Sequence, residues 1–157
     1  MNECLIMFAL DEIDRKLLRE LLIDSKRSYR ELARSIGVST ATVINRVQRL
    51  ESSGVIKGYT IMIDHERLGF ELTVVTEITV SKGRLIEVEE EVSKLPNVCA
   101  VYDITGLTDA MVVAKFRSRR ELSKFTKGLL AMPYIERTNT HVVLTTVKED
   151  FRMLEAL

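Results

Sequence analysis

The spacing of apolar residues divides the chain into two halves with different periods. Ile13, Leu17 and Leu21 recur at three to four residues, which predicts an amphipathic helix over residues 11–23. From residue 72 onward, runs rich in Thr, Val and Ile predict β-strands separated by helices. The change of period predicts a helical N-terminal domain followed by an α+β domain.

A capping box predicts a second helix in the first half. Ser28 is followed three residues later by Glu31. In a capping box of this kind, the side chain of each residue accepts a hydrogen bond from the backbone amide of the other. This predicts a helix over residues 29–36. Gly37 then ends the helix, in the left-handed conformation that glycine adopts without strain.

A third helix follows after a short turn. Ser39 is predicted to be the N-cap of this helix. The helix extends to about Ser52, and Gly54 ends it. The apolar segment 55–63 predicts one or two strands that form a small wing or connector. A helix, a glycine turn and a second capped helix are typical of a helix-turn-helix, whose second helix lies in the DNA major groove.

The second half predicts the order βαββαβ, which is the ferredoxin-like plan of an antiparallel sheet with two helices on one face. The predicted strands are residues 72–80, 98–105, 110–116 and 135–147, with helices at 84–95 and 118–131. The predicted domains are residues 1–63 (helix-turn-helix with its connecting strand), 64–71 (linker), 72–147 (ferredoxin-like) and 148–157 (C-terminal tail).

Both faces of the predicted sheet carry apolar residues. Along the first strand, Val74, Ile78 and Val80 share one face, and Val75 lies on the other. Helices can cover only one of these faces, and an exposed apolar face of this size usually contacts a partner. We therefore expect a homodimer that forms through the sheet.

Basic residues are concentrated in the first half, although the net charge of the chain is zero. Seven basic and two acidic residues lie between Lys26 and Lys57, a net of +5. Residues 65–157 carry 13 basic and 14 acidic residues. Such local clustering is typical of a phosphate-binding surface, so the zero total does not argue against nucleic acid.

The third helix has a polar outer face suited to reading bases. A helical wheel places Val43, Val47 and Leu50 on the buried stripe. Amides can pair with adenine, arginine with guanine, and a threonine methyl can touch thymine. The predicted DNA-binding residues on or beside this helix are Ser39, Thr40, Ala41, Thr42, Asn45, Arg46, Gln48 and Arg49.

Further residues are predicted to grip phosphates. Arg27, Ser28, Tyr29 and Arg30 lie at the start of the preceding helix, and Lys57 lies in the predicted wing. The alternative interpretation of the whole surface is an ordinary solvated face of a protein-interaction module.

The sequence predicts neither catalysis nor a metal site. There is no nucleophile–base pair, and no Cys or His spacing fits a structural zinc site. Cys4 and Cys99 do not make a disulfide framework, and Cys99 is expected to be a small core residue.

The sequence predicts neither a membrane span nor a signal peptide. No apolar run reaches the roughly 18 residues of a membrane span, and residues 1–10 lack the features of a signal peptide. We therefore expect a cytoplasmic protein without a membrane partner.

Several motifs resemble the Lrp/AsnC (feast/famine) transcription regulators. The resemblance lies in residues 10–18, 31–33, 36–39, 46–51 and 54–59, and continues through 101–102, 106–109, 137–140 and 147–149. It implies a winged helix-turn-helix domain, an effector-binding and oligomerising domain, and a homodimer that often assembles further. It also implies an amino-acid effector bound between subunits, and a pseudo-palindromic operator in double-stranded DNA.

The turn 105–109 corresponds to the glycine-x-aromatic-aspartate turn of that family. Gly106 provides exposed N–H groups for a ligand carboxylate, and Asp109 could pair with an ammonium group. The aromatic position is Thr108 in this chain, which leaves a larger or wetter pocket. The predicted effector-binding residues are Tyr102, Thr105, Gly106, Leu107, Thr108 and Asp109, with Thr138 and Thr140 from a neighbouring subunit.

Two alternatives to an effector-controlled regulator stay open on the sequence. The chain could be an amino-acid-sensing regulatory subunit of a biosynthetic enzyme, with the N-terminal helices as its docking module. It could also be an effector-independent architectural protein that coats DNA. The basic cluster argues against the first, and the turn at Gly106 could be a simple connection between strands.

Overall fold

The computed structural model describes residues 9–157, which form two compact units. Residues 9–62 and 148–157 make up the first unit, called the helical unit here, and Ile63–Val147 make up the second, the sheet unit. Cys4 lies outside the described residues. None of the helices in residues 9–157 combines the length and apolar character needed to cross a bilayer.

Three helices build the helical unit: α1 (Glu12–Ile23), α2 (Tyr29–Ile36) and α3 (Thr40–Ser52). Their buried faces meet in a core in which Leu17, Leu32 and the three wheel residues of α3 are fully buried. The predicted helices and the buried stripe Val43, Val47 and Leu50 are therefore confirmed. Asp11, which the sequence placed inside the first helix, is its N-cap and forms a capping box with Asp14.

The turn between α2 and α3 has the predicted glycine geometry. Gly37 has φ 76°, and its amide and that of Val38 both donate to the carbonyl of Ala33 at 3.0 Å. A β-branched or bulky residue would be strained at this backbone angle, so glycine sets the sharp change of direction before α3.

The segment 55–63 contains no strand, and the sequence-based prediction of one or two strands there is wrong for this chain. Tyr59, Ile61 and Met62 are more than half exposed. A strand requires a neighbouring backbone with which to form its ladder of hydrogen bonds, and no other segment of the described chain pairs with this one.

The C-terminal segment 148–157 is grouped with the helical unit. Leu157 packs against the core of the three helices, next to Leu10 and Leu21. The predicted helical tendency of this tail is limited to one 3₁₀ turn, Leu154–Ala156. The helical unit is therefore built from two separate stretches of sequence.

The sheet unit has the predicted βαββαβ order. Its elements are β1 (Leu72–Val80), α4 (Leu85–Ser93), β2 (Val98–Asp103), β3 (Ala110–Phe116), α5 (Arg119–Leu130) and β4 (Ile135–Val142). The antiparallel sheet has the strand order β2-β3-β1-β4. β2 and β4 end before the predicted residues 105 and 147.

Helices cover one face of this sheet. Ile78 of β1 and Val112 of β3 are buried there against Val88 of α4 and Leu129 of α5, and Val74 of β1 is buried beside Phe116. The other face, called the open face here, carries Val75, Val113 and Met111, which are only half-buried. The predicted distribution of apolar residues over both faces is confirmed.

Cys99 is exposed, so its expected place in the core is wrong. The register of β2 against β3 shifts between Val98 and Ala100, and Cys99 occupies this irregularity. A bulge takes the extra residue out of the alternation that its neighbours follow, which a simple period-two pattern does not predict.

One buried carboxylate oxygen of the sheet unit has no hydrogen-bond partner within the described part of the chain. It is Oε1 of Glu89, on the side of α4 that lies close to Val101 and Asp103 of β2. Desolvation, reinforced by the charge of Asp103, raises the pKa of Glu89 above its ordinary value of 4.5.

We predict that Glu89→Gln stabilises the protein at pH 7. A neutral amide of the same shape removes a desolvated charge, so the melting temperature should rise by about 2–4 °C. Because the folded pKa is raised, the cost of the charge is present above that pKa and disappears as the pH falls through it. The gain should therefore shrink toward pH 4.

The matched control is Glu90→Gln, which changes the exposed neighbour on the same helix. It should leave the melting temperature unchanged within about 1 °C. Equal shifts for the two variants across pH 4–8 in thermal unfolding would contradict an unfavourable charge at Glu89.

Candidate functional site

The outer face of α3 is polar and exposed to solvent. Ala41, Asn45 and Gln48 are exposed on it, and Thr40 is exposed at its first residue. The side chains near the N-terminus of the helix are small, so a nucleic-acid backbone and base edges could approach closely. Amide groups follow one and two turns later, and these offer paired donors and acceptors to bases.

The hydroxyl of Ser39 has a structural task at the start of α3. It accepts a hydrogen bond from the Thr42 amide at 3.0 Å and lies 2.8 Å from the Thr42 hydroxyl. The predicted N-cap is therefore confirmed, and Thr42 is half-buried. This pair fixes the first turn of α3.

Arg46 and Arg49 contact a buried carboxylate of α1. Asp14 is fully buried, and its Oδ1 accepts a hydrogen bond from Arg46 at 3.1 Å, while Oδ2 accepts one from Arg49. Arg46 also pairs with Asp11. The two arginines predicted to contact DNA thus attach α3 to α1.

The contacts of Asp11 and Asp14 with the two arginines were not predicted from the sequence. By position alone, both are acids at a helix N-terminus, where the helix dipole favours negative charge. The spacing of these residues could have indicated the contact. Asp11 and Asp14 are three residues apart at the start of α1, and the two arginines are three residues apart in α3. Side chains three apart lie on one face of a helix, so the two pairs could meet where the helices cross.

Asp11 is held in its charged form. The Asp14 amide donates to its carboxylate at 2.9 Å, and this bond, followed by the contact with Arg46, lowers the pKa of Asp11 to about 2. A depressed folded pKa contributes stability that is present above the ordinary value of 3.8. That contribution is lost as the pH falls toward 2.

The predicted phosphate-binding residues at the start of α2 differ in whether their side chains are already bonded within the protein. Arg27 pairs with Glu20 of α1, and the Ser28 hydroxyl donates to Glu31 at 2.7 Å in the predicted capping box. Tyr29 and Arg30 are exposed. Within residues 9–157, Arg30 forms no salt bridge, so its charge faces solvent.

Lys57 is exposed in the segment after α3 and likewise forms no salt bridge among the described residues. Close by, the Tyr59 hydroxyl donates to Glu51 at 2.9 Å. Desolvation, followed by this bond, raises the pKa of Tyr59 to about 12. This hydrogen bond connects the middle of the 55–63 segment to the end of α3.

The candidate effector turn connects β2 to β3. Gly106 has φ 136°, and Leu107 is fully exposed at the tip. Asp109 is anchored to β1: its carboxylate accepts from the Val80 amide at 2.8 Å, and its own amide donates to Ile78 at 2.9 Å. One carboxylate oxygen of Asp109 therefore has a structural role that the sequence did not predict. Thr105 is exposed and Thr108 half-buried in the same turn.

The remaining predicted effector residues lie apart from one another in a single chain. Tyr102 lies on β2 opposite Met111, on the open face. Thr140 lies on β4 with its hydroxyl 3.1 Å from that of buried Thr76, on the helix-covered face, and Thr138 follows the same alternation. Because β2 and β4 are opposite edges, one chain does not bring these residues together.

No group of three or more His, Cys, Asp or Glu side chains within residues 9–157 is arranged to hold a metal ion.

Comparison with known proteins matches both units. Residues 10–51 match the AsnC-type helix-turn-helix domain, and residues 73–153 match the Lrp/AsnC ligand binding domain. An uncharacterized HTH-type transcriptional regulator of Pyrococcus horikoshii is 45% identical over 144 residues, which cover 92% of this chain and 97% of that protein.

Two solved structures show the same fold. LrpC of B. subtilis has a TM-score of 0.81 at 33% identity, covering 90% of this chain and 99% of its own. A transcriptional regulator of Neisseria meningitidis, solved in complex with L-Met, has a TM-score of 0.84 at 23% identity, covering 92% and 96%.

We predict that Asp14→Asn lowers the free energy of unfolding by about 2–4 kcal/mol, because Arg46 and Arg49 lose their shared buried counter-charge. Urea denaturation at pH 7 measures this change. The control is Glu12→Gln, which removes an exposed partner of Lys16 in the same first turn. It should cost no more than about 0.5 kcal/mol, and a similar loss in both variants would argue against the Asp14 contacts.

Proposed function

The chain belongs to the Lrp/AsnC family of transcriptional regulators, and from this premise we propose a sequence-specific DNA-binding regulator whose affinity is set by an amino-acid effector. The observation that carries the DNA-reading part is the exposed face of α3, which presents Asn45 and Gln48 beyond a first turn of small residues. An amide side chain can hydrogen-bond both the N6 and N7 positions of adenine in the major groove.

Phosphate contacts would orient this helix. Tyr29 and Arg30 at the start of α2 and Lys57 after α3 are exposed, and they flank the reading face in the helical unit. Phosphate contacts fix the register of a protein on the duplex without reading its sequence. In this proposal Arg46 and Arg49 act through Asp14, by holding α3 against α1.

We further propose that two copies act together through the open face of the sheet. The half-buried apolar side chains Val75, Val113 and Met111 support this assembly. A twofold dimer presents two copies of α3, which fits a pseudo-palindromic operator with half-sites about 34 Å apart.

The effector is proposed to be a free α-amino acid bound at the turn around Gly106. Exposed backbone amides near a glycine suit a carboxylate, and the oxygen of Asp109 that is not bonded to Val80 suits an ammonium group. Thr108 is smaller than an aromatic residue, which favours a ligand with a larger side chain. The complex of the Neisseria meningitidis protein with L-Met makes methionine the first candidate to test.

Residues of neighbouring chains would complete the pocket. Thr138 and Thr140 lie at the far edge of the sheet from Tyr102, so they can join it only from another copy. An effector bound between copies would favour one assembly over another, and this differential affinity would change DNA binding.

The DNA-reading proposal predicts different outcomes for Asn45→Ala and Arg30→Ala. A duplex selected from a random pool by the wild-type protein serves as the operator. Asn45→Ala should weaken binding to it by about 1–3 kcal/mol and leave binding to unrelated DNA unchanged. Arg30→Ala should weaken both equally and reduce the salt dependence.

Fluorescence anisotropy at several salt concentrations measures these affinities. If Asn45→Ala weakened binding to both duplexes alike, Asn45 would be a phosphate contact. If the wild-type protein selected no sequence and bound all DNA alike, an architectural role would replace specific regulation.

The effector proposal predicts a thermal shift with at least one of the twenty amino acids. A ligand at 100 times its Kd stabilises the native state by about 2.7 kcal/mol. Tyr102→Ala should abolish the shift, whereas Ile86→Ala, an exposed residue of α4, should preserve it. No shift at millimolar concentration would favour an effector-independent regulator.

A further inference from the structure

The outward face of α5 carries a row of basic side chains that the proposed function leaves without a role. Arg120, Lys124 and Lys127 are exposed and lie four and three residues apart, so they share an arc of about 60° on the helix. We call these three residues the basic stripe. Arg119, also exposed, adds a fourth charge beside it.

Nothing within residues 9–157 neutralises this stripe by a salt bridge. The single acid of α5, Glu121, is engaged at the helix cap, where its carboxylate accepts the Arg117 amide at 2.9 Å. The other helix of this layer behaves differently. On α4, Glu87 and Glu91 pair with the flanking bases Arg84 and Lys94 at 2.6 and 2.7 Å.

The stripe also has an energetic cost within its own helix. Arg119 and Arg120 lie in the first turn, where the helix dipole disfavours cations. Arg120 and Lys124 are like charges four residues apart, an arrangement that destabilises a helix by about 0.2–0.5 kcal/mol. Exposed residues that break local rules without a packing benefit are expected where a surface serves binding.

We propose that the basic stripe is a second DNA-binding surface, which contacts the phosphates of duplex that extends beyond the segment read by α3. Lys and Arg ammonium and guanidinium groups bind phosphate without reading bases, and α5 presents no exposed amide side chain that would do so. At a rise of 1.5 Å per residue the stripe spans about 10 Å, enough for two or three phosphates along one strand. This inference rests on the proposed DNA-binding function.

A different occupant has complementary charge, namely the acidic helix α4 of a second copy. The salt bridges of Glu87 and Glu91 already satisfy half of the acids on that helix, and Glu89 is partly buried. DNA, with a charge on every nucleotide, is therefore the favoured partner.

The test compares two triple variants of the full chain. Arg120→Gln/Lys124→Gln/Lys127→Gln removes the stripe and keeps good helix formers. Lys82→Gln/Lys94→Gln/Lys148→Gln removes the same number of charges from exposed positions elsewhere. Both are titrated with a selected sequence in a duplex of about 20 base pairs and with the same sequence embedded in about 60 base pairs.

The stripe variant should match the wild type on the short duplex. On the long duplex we expect it to bind about tenfold more weakly at 0.15 M salt, with the slope of log K against log salt reduced by about 2 to 3. The control variant should lose less than about twofold on either duplex. Circular dichroism and thermal melting of both variants confirm that the fold is kept.

Three results would overturn the proposal. The stripe variant could bind long DNA as the control does, or it could lose affinity equally on both duplexes. It could instead change the oligomeric state without DNA in light scattering, which would assign α5 to protein contact. If the wild type binds neither duplex, the proposed DNA-binding function itself fails, and this result is distinct from the other three.

Discussion

The buried carboxylate of Asp14 is the constraint on which the proposed DNA-reading surface depends. It lies where α1 crosses α3, and it receives hydrogen bonds from Arg46 and Arg49. A charge removed from water is expensive unless it is fully paired, so this contact is worth more for fixing the angle and register of α3 than for total stability. Because Arg46 and Arg49 are bonded to Asp14, the exposed amide side chains that α3 presents to solvent are those of Asn45 and Gln48.

Local signals in the sequence predicted the elements well, because each depends on residues a few positions apart. Ser28 with Glu31, Ser39 and Gly37 act within one turn, and the structure has the expected caps and left-handed glycine. The contacts of Asp14 join positions more than 30 apart, and Asp109 reaches Val80 across the sheet. Periodicity within one element does not identify a partner in a distant element, so the partners of Asp14 and of the Asp109 carboxylate were not predicted.

The two units differ in how many of their basic side chains are paired with acids. Three arginines of the basic cluster in the helical unit pair with acids of α1, so its formal excess overstates the charge offered to a ligand. In the sheet unit the reverse holds: the unit is nearly neutral, yet four exposed cations of α5 form no salt bridge within residues 9–157. Net charge, of a chain or of a unit, is thus a poor guide to where a polyanion would bind.

The return of the tail to the helical unit has a consequence for how the protein is made. Leu157 packs beside Leu10 and Leu21, although the whole sheet unit separates them in sequence. On the ribosome the three helices emerge first and the sheet unit second, so this packing can form only after residues 148–157 have been synthesised. Without this segment, the three helices would expose the apolar surface that Leu157 contacts. The helical unit is therefore completed after the sheet unit, although its helices are made first.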